Sequence, residues 1–396
     1  MNVTAMRLLD NTLGVAGCWL LSVVNSVKSL LRRGRPNDAT PPRRVLVIKL
    51  LGLGTILLTS AVTRSLKQLL PGVQVDFLTF EQFKPAVELA GHVDELCLVS
   101  GRSAWAFVVS AIRILRKLRA NRYDLVVDLD YFARFTMILS YLTGAPRRAG
   151  FHSPSMYRGS LLTDRMHYSI HLQMIDMFYD GIAKVCGAQP ERPIPGVQLS
   201  EDDMRRGHEV LSRNGLDETR PIILLNPNVS AFSAPPRRWN KDKFALLAQR
   251  CVRELGAQVA ITGGPGDVEY VASIVESADG NGGTVVSLAG QTTLAELAAV
   301  SRLVSCMVSC DTGPMILASI AGAPVVVLLG PTAWTHKPVG HRNVVVCRHL
   351  PCSPCLTVFN QKHARCVHGS NICMQQIEVD EVFAAVQKVL RGEAHD

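Results

Sequence analysis

Short apolar runs rich in β-branched residues alternate with longer helical segments from residue 44 onwards. In the first half, strands are predicted at 45–49, 73–80 and 125–129, with helices at 55–70, 104–120 and 131–142. In the second half, strands are predicted at 222–226, 258–262, 284–288, 303–309 and 324–330, with helical stretches between them. Continuous apolar strands separated by helices predict two parallel sheets, each covered on both faces.

The segment GAQPERPIPGVQLS (187–200) is rich in Pro and Gly and lacks periodicity, so it predicts a domain boundary. We therefore expect an α/β protein with two Rossmann-like domains, at 44–190 and 200–376. Residues 377–396 form a terminal helical segment that could pack on either domain. Because ligands bind beyond the carboxyl ends of parallel strands, we expect the two sheets to face a central crevice.

Residues 1–43 are predicted to form an apolar helix and a linker. The apolar stretch 13–31 is interrupted by Asn25 and Lys28 and is followed by Arg32 and Arg33. A signal peptide carries its positive charge before the apolar run, and a spanning helix is longer and less interrupted. An interfacial helix fits better, with its arginines at anionic headgroups. The alternative is a helix packed on the protein's own core. The predicted lipid-facing residues are Leu13, Trp19, Leu20, Val23, Val24, Val27 and Leu31.

The formal net charge of +9 over 396 residues indicates an anionic partner. Nucleic acid, an anionic membrane surface and a phosphorylated substrate all satisfy that charge. The sequence has no interleaved aromatic and basic residues and no zinc-finger or RNA-recognition motif, so we expect no nucleic-acid partner. Most of the eleven cysteines lie in apolar runs, as buried reduced thiols do.

Four of those cysteines are clustered near the C-terminus with the spacing C-x2-C-x10-C-x6-C. They are Cys352, Cys355, Cys366 and Cys373. This spacing is compatible with a structural zinc ion, with disulfides or with free thiols, and His363 and His368 are alternative ligands. No cofactor other than this zinc is expected.

The segment SCDTGPMILASIAGAPVVVLLGPT (309–332) combines a strand end with a helix start. Asp311 or Thr312 can cap the helix, Pro314 suits its first position, and Gly313 lets a ligand approach the backbone. The free amides and the positive end of the helix would then face a diphosphate. An ordinary capped turn without a ligand is the alternative.

Two further loops also follow predicted strands. The loop 226–239 contains Ser230 and Arg237, and an arginine there could neutralise a phosphate leaving group. The loop TGGPGD (262–267) ends at Asp267, which could accept hydrogen bonds from ribose hydroxyls. Each loop alone is a weak indication, but three in one half reinforce one another.

These segments, in this order, resemble glycosyltransferase family 9, the ADP-heptose:lipopolysaccharide heptosyltransferases. The resemblance extends over residues 44–391 and includes VLVIKLLGLGTILLTSAVTRSLKQLLPG (45–72), LNPNVSAFSAPPRRW (225–239), AITGGPGD (260–267) and CDTGPMILASIAGAPVVVLLGPT (310–332). It implies the GT-B fold and metal-independent transfer with inversion at the anomeric carbon. The donor contacts that it implies are Ser230, Arg237, Asp267, Asp311, Thr312 and Gly313, next to Pro314.

Two positions depart from the family pattern. Thr55 stands where the family usually carries the aspartate that is its candidate general base, and Ile316 stands where a histidine is usual. A neutral hydroxyl cannot easily take a proton. Asp130, after the strand 125–129, is a substitute base or an acceptor-binding residue, whereas Asp128 is expected to be structural.

The resemblance implies a peripheral enzyme on the cytoplasmic face of a Gram-negative inner membrane. It would move heptose from ADP-heptose to a lipopolysaccharide-core or other lipid-linked acceptor. The N-terminal domain would hold the acceptor, with Arg134, Arg147 and Arg148 meeting its anionic groups. The alternative is a catalytically impaired member that binds a nucleotide-sugar or glycolipid as a scaffold or regulator.

Overall fold

Each half of the chain builds one six-stranded parallel sheet. A computed structural model describes residues 8–31, 41–229, 237–278, 285–332, 334–340, 342–359 and 366–393. The chain divides into two units, Met1–Pro193 and Ile194–Asp396. The division lies within the Pro- and Gly-rich segment 187–200.

The N-terminal unit has the strand order β3-β2-β1-β4-β5-β6. Its strands are β1 (Arg44–Ile48), β2 (Gln74–Phe80), β3 (Glu95–Val99), β4 (Leu125–Asp128), β5 (Arg147–Phe151) and β6 (Asp164–Met166). Its helices are α1 (Val15–Leu31), α2 (Leu53–Leu69), α3 (Lys84–Ala90), α4 (Ala104–Ala120), α5 (Arg134–Leu142) and α6 (Met174–Cys186). The inner strands β1 and β4 are almost wholly buried, since helices cover the sheet.

The C-terminal unit has the strand order β12-β11-β10-β7-β8-β9. Its strands are β7 (Ile222–Asn226), β8 (Gln258–Ile261), β9 (Val285–Ser287), β10 (Cys306–Cys310), β11 (Val325–Leu329) and β12 (Asn343–Cys347). Its helices are α7 (Glu201–Arg213), α8 (Lys241–Leu255), α9 (Val268–Ala278), α10 (Leu294–Leu303), α11 (Gly313–Ala321), α12 (Ile372–Gln375) and α13 (Val379–Leu390). The terminal helix, for which the sequence left either domain open, is α13 and packs on the C-terminal unit. Its Val382, Phe383 and Val386 belong to the hydrophobic core of that unit.

The α/β class with two parallel sheets is confirmed, and some element bounds are corrected. The predicted strand 303–309 starts too early, because Leu303 still belongs to α10 and β10 begins at Cys306. An apolar run that continues from a helix into a strand gives no periodicity with which to separate them. The sequence pattern did not predict β3, β5, β6 or β12. Three of these lie at sheet edges, where strands are partly exposed and less continuously apolar.

Helix α1 packs on the N-terminal unit through one face only. A π-helical turn, Asp10–Gly14, leads into it, and Cys18 is buried against Met137 and Leu161. The opposite face exposes large apolar side chains, among them Trp19 and Leu20. Within the described residues, Asp10–Leu30 is the stretch long and apolar enough to cross a membrane, and 11% of its most apolar window is buried.

Candidate functional site

A buried charge pair lies at the carboxyl end of β10. Arg237 donates a hydrogen bond from Nη1 to the Asp311 carbonyl oxygen at 2.6 Å, and the same nitrogen lies 3.3 Å from Asp311 Oδ2. Both side chains are 6% exposed. The Arg237 Nε is buried and has no partner among the described residues. The structure therefore brings together two predicted donor-binding residues that are 74 positions apart.

Thr312 is fixed by the neighbouring strand β7. Asn226 Nδ2 donates to Thr312 Oγ1 and to Ser309 Oγ, both at 2.9 Å. Thr312 occupies the N-cap position of α11, but its side chain makes no capping hydrogen bond. Of the two residues expected to cap the helix, Thr312 therefore takes the N-cap position, while its hydroxyl accepts from Asn226. Gly313 begins α11 and Pro314 is its second residue.

The loop after β8 lies against the same edge. Asn228 Nδ2 donates to the Thr262 carbonyl at 2.7 Å, while Asn228 Oδ1 is buried without a partner in the described part of the chain. A Cβ at Gly263 would lie only 2.8 Å from Asn228 Nδ2, so this close approach needs glycine. Asp267 Oδ2 accepts from the Gly264 amide at 2.9 Å. Ser230 lies outside the described residues.

The loop after β11 supplies polar groups that the sequence analysis did not single out. Thr332 and Thr335 bury hydroxyls that have no partner among the described residues. His336 Nδ1 lies 3.7 Å from Asp311 Oδ1. Trp334 stacks on the His349 ring at 6.1 Å. In the sequence, the signal that could have indicated these groups was a polar residue after the segment LLGPT (328–332).

The edge formed by β7, β10 and β11 thus concentrates buried polar groups with one buried guanidinium. Buried polar atoms are normally hydrogen-bonded, and unpartnered ones at a strand end indicate a place for a ligand. A guanidinium and a helix N-terminus both favour an anion. This arrangement suits a phosphorylated ligand.

A second buried pair lies at the carboxyl edge of the N-terminal sheet. Lys49 Nζ donates to Asp130 Oδ1 at 2.7 Å, and the Leu50 amide donates to Asp130 Oδ2 at 2.7 Å. Lys49 directly follows β1 and is almost completely buried, with its ammonium 4.3 Å from the centre of the Tyr131 ring. Both oxygens of the candidate base Asp130 therefore already accept a hydrogen bond. The sequence analysis did not identify Lys49.

Asp128 lies beneath this pair and is structural. It is fully buried, pairs with Arg158, and accepts hydrogen bonds from Thr136 Oγ1 and the Asp130 amide. Burial raises its pKa to about 6, and the Arg158 charge opposes that rise. Its contacts hold the backbone at Asp130.

The two departures from the family pattern have local explanations. Thr55 lies in the first turn of α2, and its Oγ1 donates to the Gly52 carbonyl at 2.9 Å. Gly52 has a φ of 96°. Ile316 is buried within α11, whose residues from Met315 to Ala321 are all buried. Neither side chain supplies a group that could take a proton.

The three arginines predicted to meet the acceptor are engaged in internal contacts. Arg134 donates to the Tyr157 carbonyl and to Asn11 Oδ1. Arg147 and Arg148 begin β5, at the end of the sheet opposite Asp130, and donate to Asp164 and to main-chain carbonyls. Arg147 and Arg148 therefore lie at the amino end of β5, away from the edge that carries Asp130, whereas Arg134 begins α5 at that edge. Contacts of these arginines with an acceptor stay a prediction.

The cysteine cluster is described in part. Among the described residues, the cysteines other than Cys355 are free thiols. Among the described residues, no three His, Cys, Asp or Glu side chains lie close enough together to hold a metal ion. Burial raises the pKa of the Cys373 thiol to about 11, which opposes thiolate ligation. His363 lies outside the described residues, and zinc binding stays a prediction.

Comparison with known proteins identifies relatives over most of the chain. Residues 111–364 match the model of glycosyltransferase family 9 (heptosyltransferase). Lipopolysaccharide heptosyltransferase 3 of Escherichia coli K12 is 22% identical over 285 residues, which are 70% of this chain and 80% of that protein.

Two solved structures resemble this fold closely. The family 9 glycosyl transferase from Veillonella parvula has a TM-score of 0.73 at 21% identity, covering 90% of this chain and all of that one. The E. coli ADP-heptose lipopolysaccharide heptosyltransferase II has a TM-score of 0.68 at 21% identity, covering 88% of this chain and 99% of that one. The two-sheet architecture is thus that of the GT-B fold.

Proposed function

The chain belongs to glycosyltransferase family 9, the heptosyltransferases, and on that premise we propose that it transfers heptose from ADP-heptose to a lipopolysaccharide-core acceptor. Family membership makes the protein a glycosyltransferase. The proposal of this donor follows the name of the E. coli heptosyltransferase II that shares the fold. The observation that carries it is the buried Arg237–Asp311 pair, at a sheet edge where the neighbouring strands β7 and β11 also lead to buried polar atoms without partners in the described chain.

The donor diphosphate is proposed to bind at the carboxyl end of β10. Arg237 is held by Asp311, which orients the guanidinium, and its Nε is available to a phosphate oxygen. The N-terminus of α11 at Gly313 adds main-chain amides and a partial positive charge. Asn228 Oδ1, Thr332 and Thr335 would take the ribose and sugar hydroxyls as partners.

The proposed reaction is a single displacement with inversion. The acceptor hydroxyl oxygen attacks the anomeric carbon, the bond from that carbon to the diphosphate oxygen breaks, and ADP leaves with the electron pair. Arg237 and the α11 amides stabilise the charge that develops on the leaving group, so the mechanism requires no metal. The hydroxyl proton passes to Asp130.

Asp130 is the proposed base because its buried carboxylate lies just beyond β4 at the carboxyl edge of the N-terminal sheet, whereas the Asp128 carboxylate beneath it pairs with Arg158. Its oxygens each hold one hydrogen bond, from Lys49 and from Leu50, and each carboxylate oxygen can accept a further one. Proton transfer late in the displacement needs only a weak base, because the hydroxyl becomes strongly acidic as it bonds to carbon. The Lys49 contact fixes the carboxylate in position.

A donor screen by calorimetry, followed by product analysis with a lipopolysaccharide-core acceptor, tests this function. We expect Asp130→Asn to lower kcat by about a hundredfold or more while the acceptor KM changes little. Thr55→Ala, which removes the hydroxyl at the family's usual base position, serves as the comparison and should have a much smaller effect. An Asp130→Asn enzyme with unchanged kcat would eliminate this residue as the base.

A second candidate function is a catalytically impaired member that binds the donor as a scaffold or regulator. The observations that favour it are Thr55 and Ile316 at the departing positions, and the engagement of both Asp130 oxygens. The same donor screen decides between the two. Binding of ADP-heptose without turnover of any core acceptor would establish the second function and sink the first.

We further propose a peripheral position on the cytoplasmic face of the bacterial inner membrane. The exposed apolar face of α1 supports this placement, because a helix docked through one face can lie in the membrane interface with the other. Sedimentation of the full-length protein with membranes tests it. A protein that remains wholly in the supernatant would contradict it.

A further inference from the structure

Helix α4 carries an exposed apolar stripe that no contact within the N-terminal unit explains. Trp105, Val108 and Ile112 are spaced i, i+3 and i+7 and are 77%, 46% and 50% exposed. The opposite side of α4 buries Ile114 and Leu118 in the core. Single exposed apolar residues are ordinary, but an aligned stripe that begins with a largely exposed tryptophan marks an interaction surface.

The same stripe turns basic further along the helix. Arg116 and Arg119 continue it one and two turns beyond Ile112, and Arg113 lies beside it. All three arginines are exposed. Tryptophan and apolar side chains followed by arginines match the two layers of a membrane interface, where acyl chains lie next to anionic headgroups.

Helices α4 and α1 lie on the same face of the N-terminal unit. The crossovers from β3 to β4 and from β4 to β5 run in the same direction across the sheet, which places α4 and α5 on one face. Helix α5 contacts α4 through Phe135 and Phe107, with ring centres 4.9 Å apart, and contacts α1 through Met137 and Cys18. The two helices therefore flank α5.

Helix α1 has the same polarity as α4. Asp10 contacts the start of α5 and Lys28 lies over Tyr141 near its end, so α1 runs parallel to α5, away from the carboxyl edge of the sheet. Helix α1 exposes apolar side chains from Trp19 to Leu30, and Lys28 is the basic residue of its last turn. Helix α4 is apolar towards the Asp130 edge and basic at the far end, whereas α1 exposes apolar side chains along its length.

We propose that the outer faces of α1 and α4 form one membrane-binding surface whose occupant is an anionic phospholipid bilayer. The α4 stripe is a second contact in addition to the N-terminal helix. Two contacts fix the orientation of the N-terminal unit and hold its Asp130 edge beside the lipid surface. The use of this surface rests on the proposed function, because a lipid-linked acceptor presents its sugar at the membrane.

Vesicle binding by the full-length protein tests the surface. We compare phosphatidylcholine vesicles with vesicles that also contain phosphatidylglycerol, and expect preference for the latter. Trp105→Ser with Ile112→Ser should lower partitioning by about tenfold. Arg116→Gln with Arg119→Gln should lower affinity for the anionic vesicles by about 25-fold, at roughly fivefold for each arginine.

Matched pairs on the C-terminal unit are the controls. Leu246 and Val268 are both 44% exposed, and Arg253 and Arg302 are exposed. Leu246→Ser with Val268→Ser, and Arg253→Gln with Arg302→Gln, should bind vesicles as the wild type does. Wild-type binding by the α4 variants, or equal losses in the controls, would overturn the proposal.

Fluorescence quenching by brominated acyl chains locates the contact without relying on affinity. Trp19→Phe is compared with Trp19→Phe plus Trp105→Phe, and the quenched fraction should fall when Trp105 is removed. No fall would contradict insertion of α4. Sedimentation of the protein without lipid tests for self-association. A dimer that dissociates in the α4 variants would show that the stripe binds a second copy of the chain and not a bilayer.

Turnover with a water-soluble core saccharide separates this inference from the proposed function. We expect the α4 variants to retain it and to lose turnover of acceptor embedded in vesicles. No turnover of either acceptor by the wild type, with vesicle binding intact, would remove the proposed function and leave the surface. Vesicle binding that does not depend on α4, with full turnover, would remove the surface alone.

Discussion

At the scale of single residues, both candidate edges are built around a buried charge pair. Lys49 pairs with Asp130 and Arg237 pairs with Asp311, and one member of each pair, Lys49 or Asp311, directly follows a strand at its carboxyl end. Burying two charges costs desolvation energy, so such pairs are weak evidence of stabilisation. At the edge of a sheet where ligands bind, each pair can orient its charged groups towards a substrate.

Arg237→Lys should weaken donor binding because lysine keeps the charge but loses the planar fork of donors. A single ammonium cannot reproduce the contacts to Asp311 while also presenting the guanidinium Nε to a phosphate. We expect the donor KM to rise by about tenfold or more, which corresponds to one charged hydrogen bond. Arg238→Lys is the matched control, since Arg238 stacks on Tyr270 at 4.4 Å. Equal effects of the two substitutions would contradict the assignment.

The pH dependence of stability tests the burial of Asp128. Its folded-state pKa of about 6 lies above the ordinary value of 3.8, so the folded protein binds this proton more tightly than the unfolded chain. The stability that this proton contributes is therefore full below pH about 3.8 and is lost as the pH rises through about 6. Asp128→Asn lacks this titration. As the pH rises from about 3.8 to about 6, the unfolding free energy of the wild type should therefore fall relative to that of Asp128→Asn.

Urea denaturation of both proteins across this pH range measures that difference. A shift in favour of the wild type would show that the Arg158 charge outweighs burial.

At the scale of elements, helix α1 is integrated into the N-terminal unit. Glycine at positions 17 and 159 allows this close packing. A Cβ at Gly17 would lie 2.8 Å from the Ile138 side chain, and a Cβ at Gly159 would lie 2.7 Å from the Cys18 carbonyl oxygen. Ser22 Oγ also accepts from the Ser160 amide at 2.9 Å. The two interpretations of this helix are therefore compatible, because one face packs on the unit while the other is exposed.

Asp10→Ala should destabilise the N-terminal unit. Asp10 accepts hydrogen bonds from the Arg134 and Phe135 amides at 2.8–3.1 Å, and so caps α5 from a different segment of the chain. Loss of a cap costs about 1–2 kcal/mol, measurable by urea denaturation. Asp202→Ala, which removes an exposed ion pair in α7, should cost less than about 1 kcal/mol. If Asp202→Ala lowers the free energy of unfolding more than Asp10→Ala does, the contact of Asp10 does not hold α1 in place.

At the scale of the whole molecule, the two units carry separate proposed tasks. All the proposed donor contacts belong to Ile194–Asp396, and the proposed base belongs to Met1–Pro193. Each unit has its own hydrophobic core. Donor binding and the acceptor side of the reaction should therefore be separable by experiment.

Hydrogen exchange with and without ADP measures this separation. We expect ADP to slow exchange in the loops after β7, β8, β10 and β11, because bound ligand excludes solvent from them. Exchange around Lys49 and Asp130 should stay unchanged with ADP alone. Protection that appears first around Asp130 would place the nucleotide in the other unit.

The sequence alone determined the α/β class, the segment in which the two units divide and the loops of the proposed donor site. Continuous apolar strands between amphipathic helices encode a covered parallel sheet locally, and the glycines and polar residues at 262–267 and 311–314 follow strands in the sequence itself. These features need no knowledge of distant contacts. The family resemblance then supplied the expected chemistry.

Only the tertiary structure decided which of these residues meet. Lys49 and Asp130 are 81 positions apart and become partners because β1 and β4 are neighbours. Arg147 and Arg148 lie at the amino end of β5, and Thr332, Thr335 and His336 follow β11 at the edge where β10 ends, because strand order and direction determine which loops share an edge. The same packing set the α4 stripe and α1 on either side of α5. Periodicity records which face of an element is apolar, but not which other element or surface that face will meet.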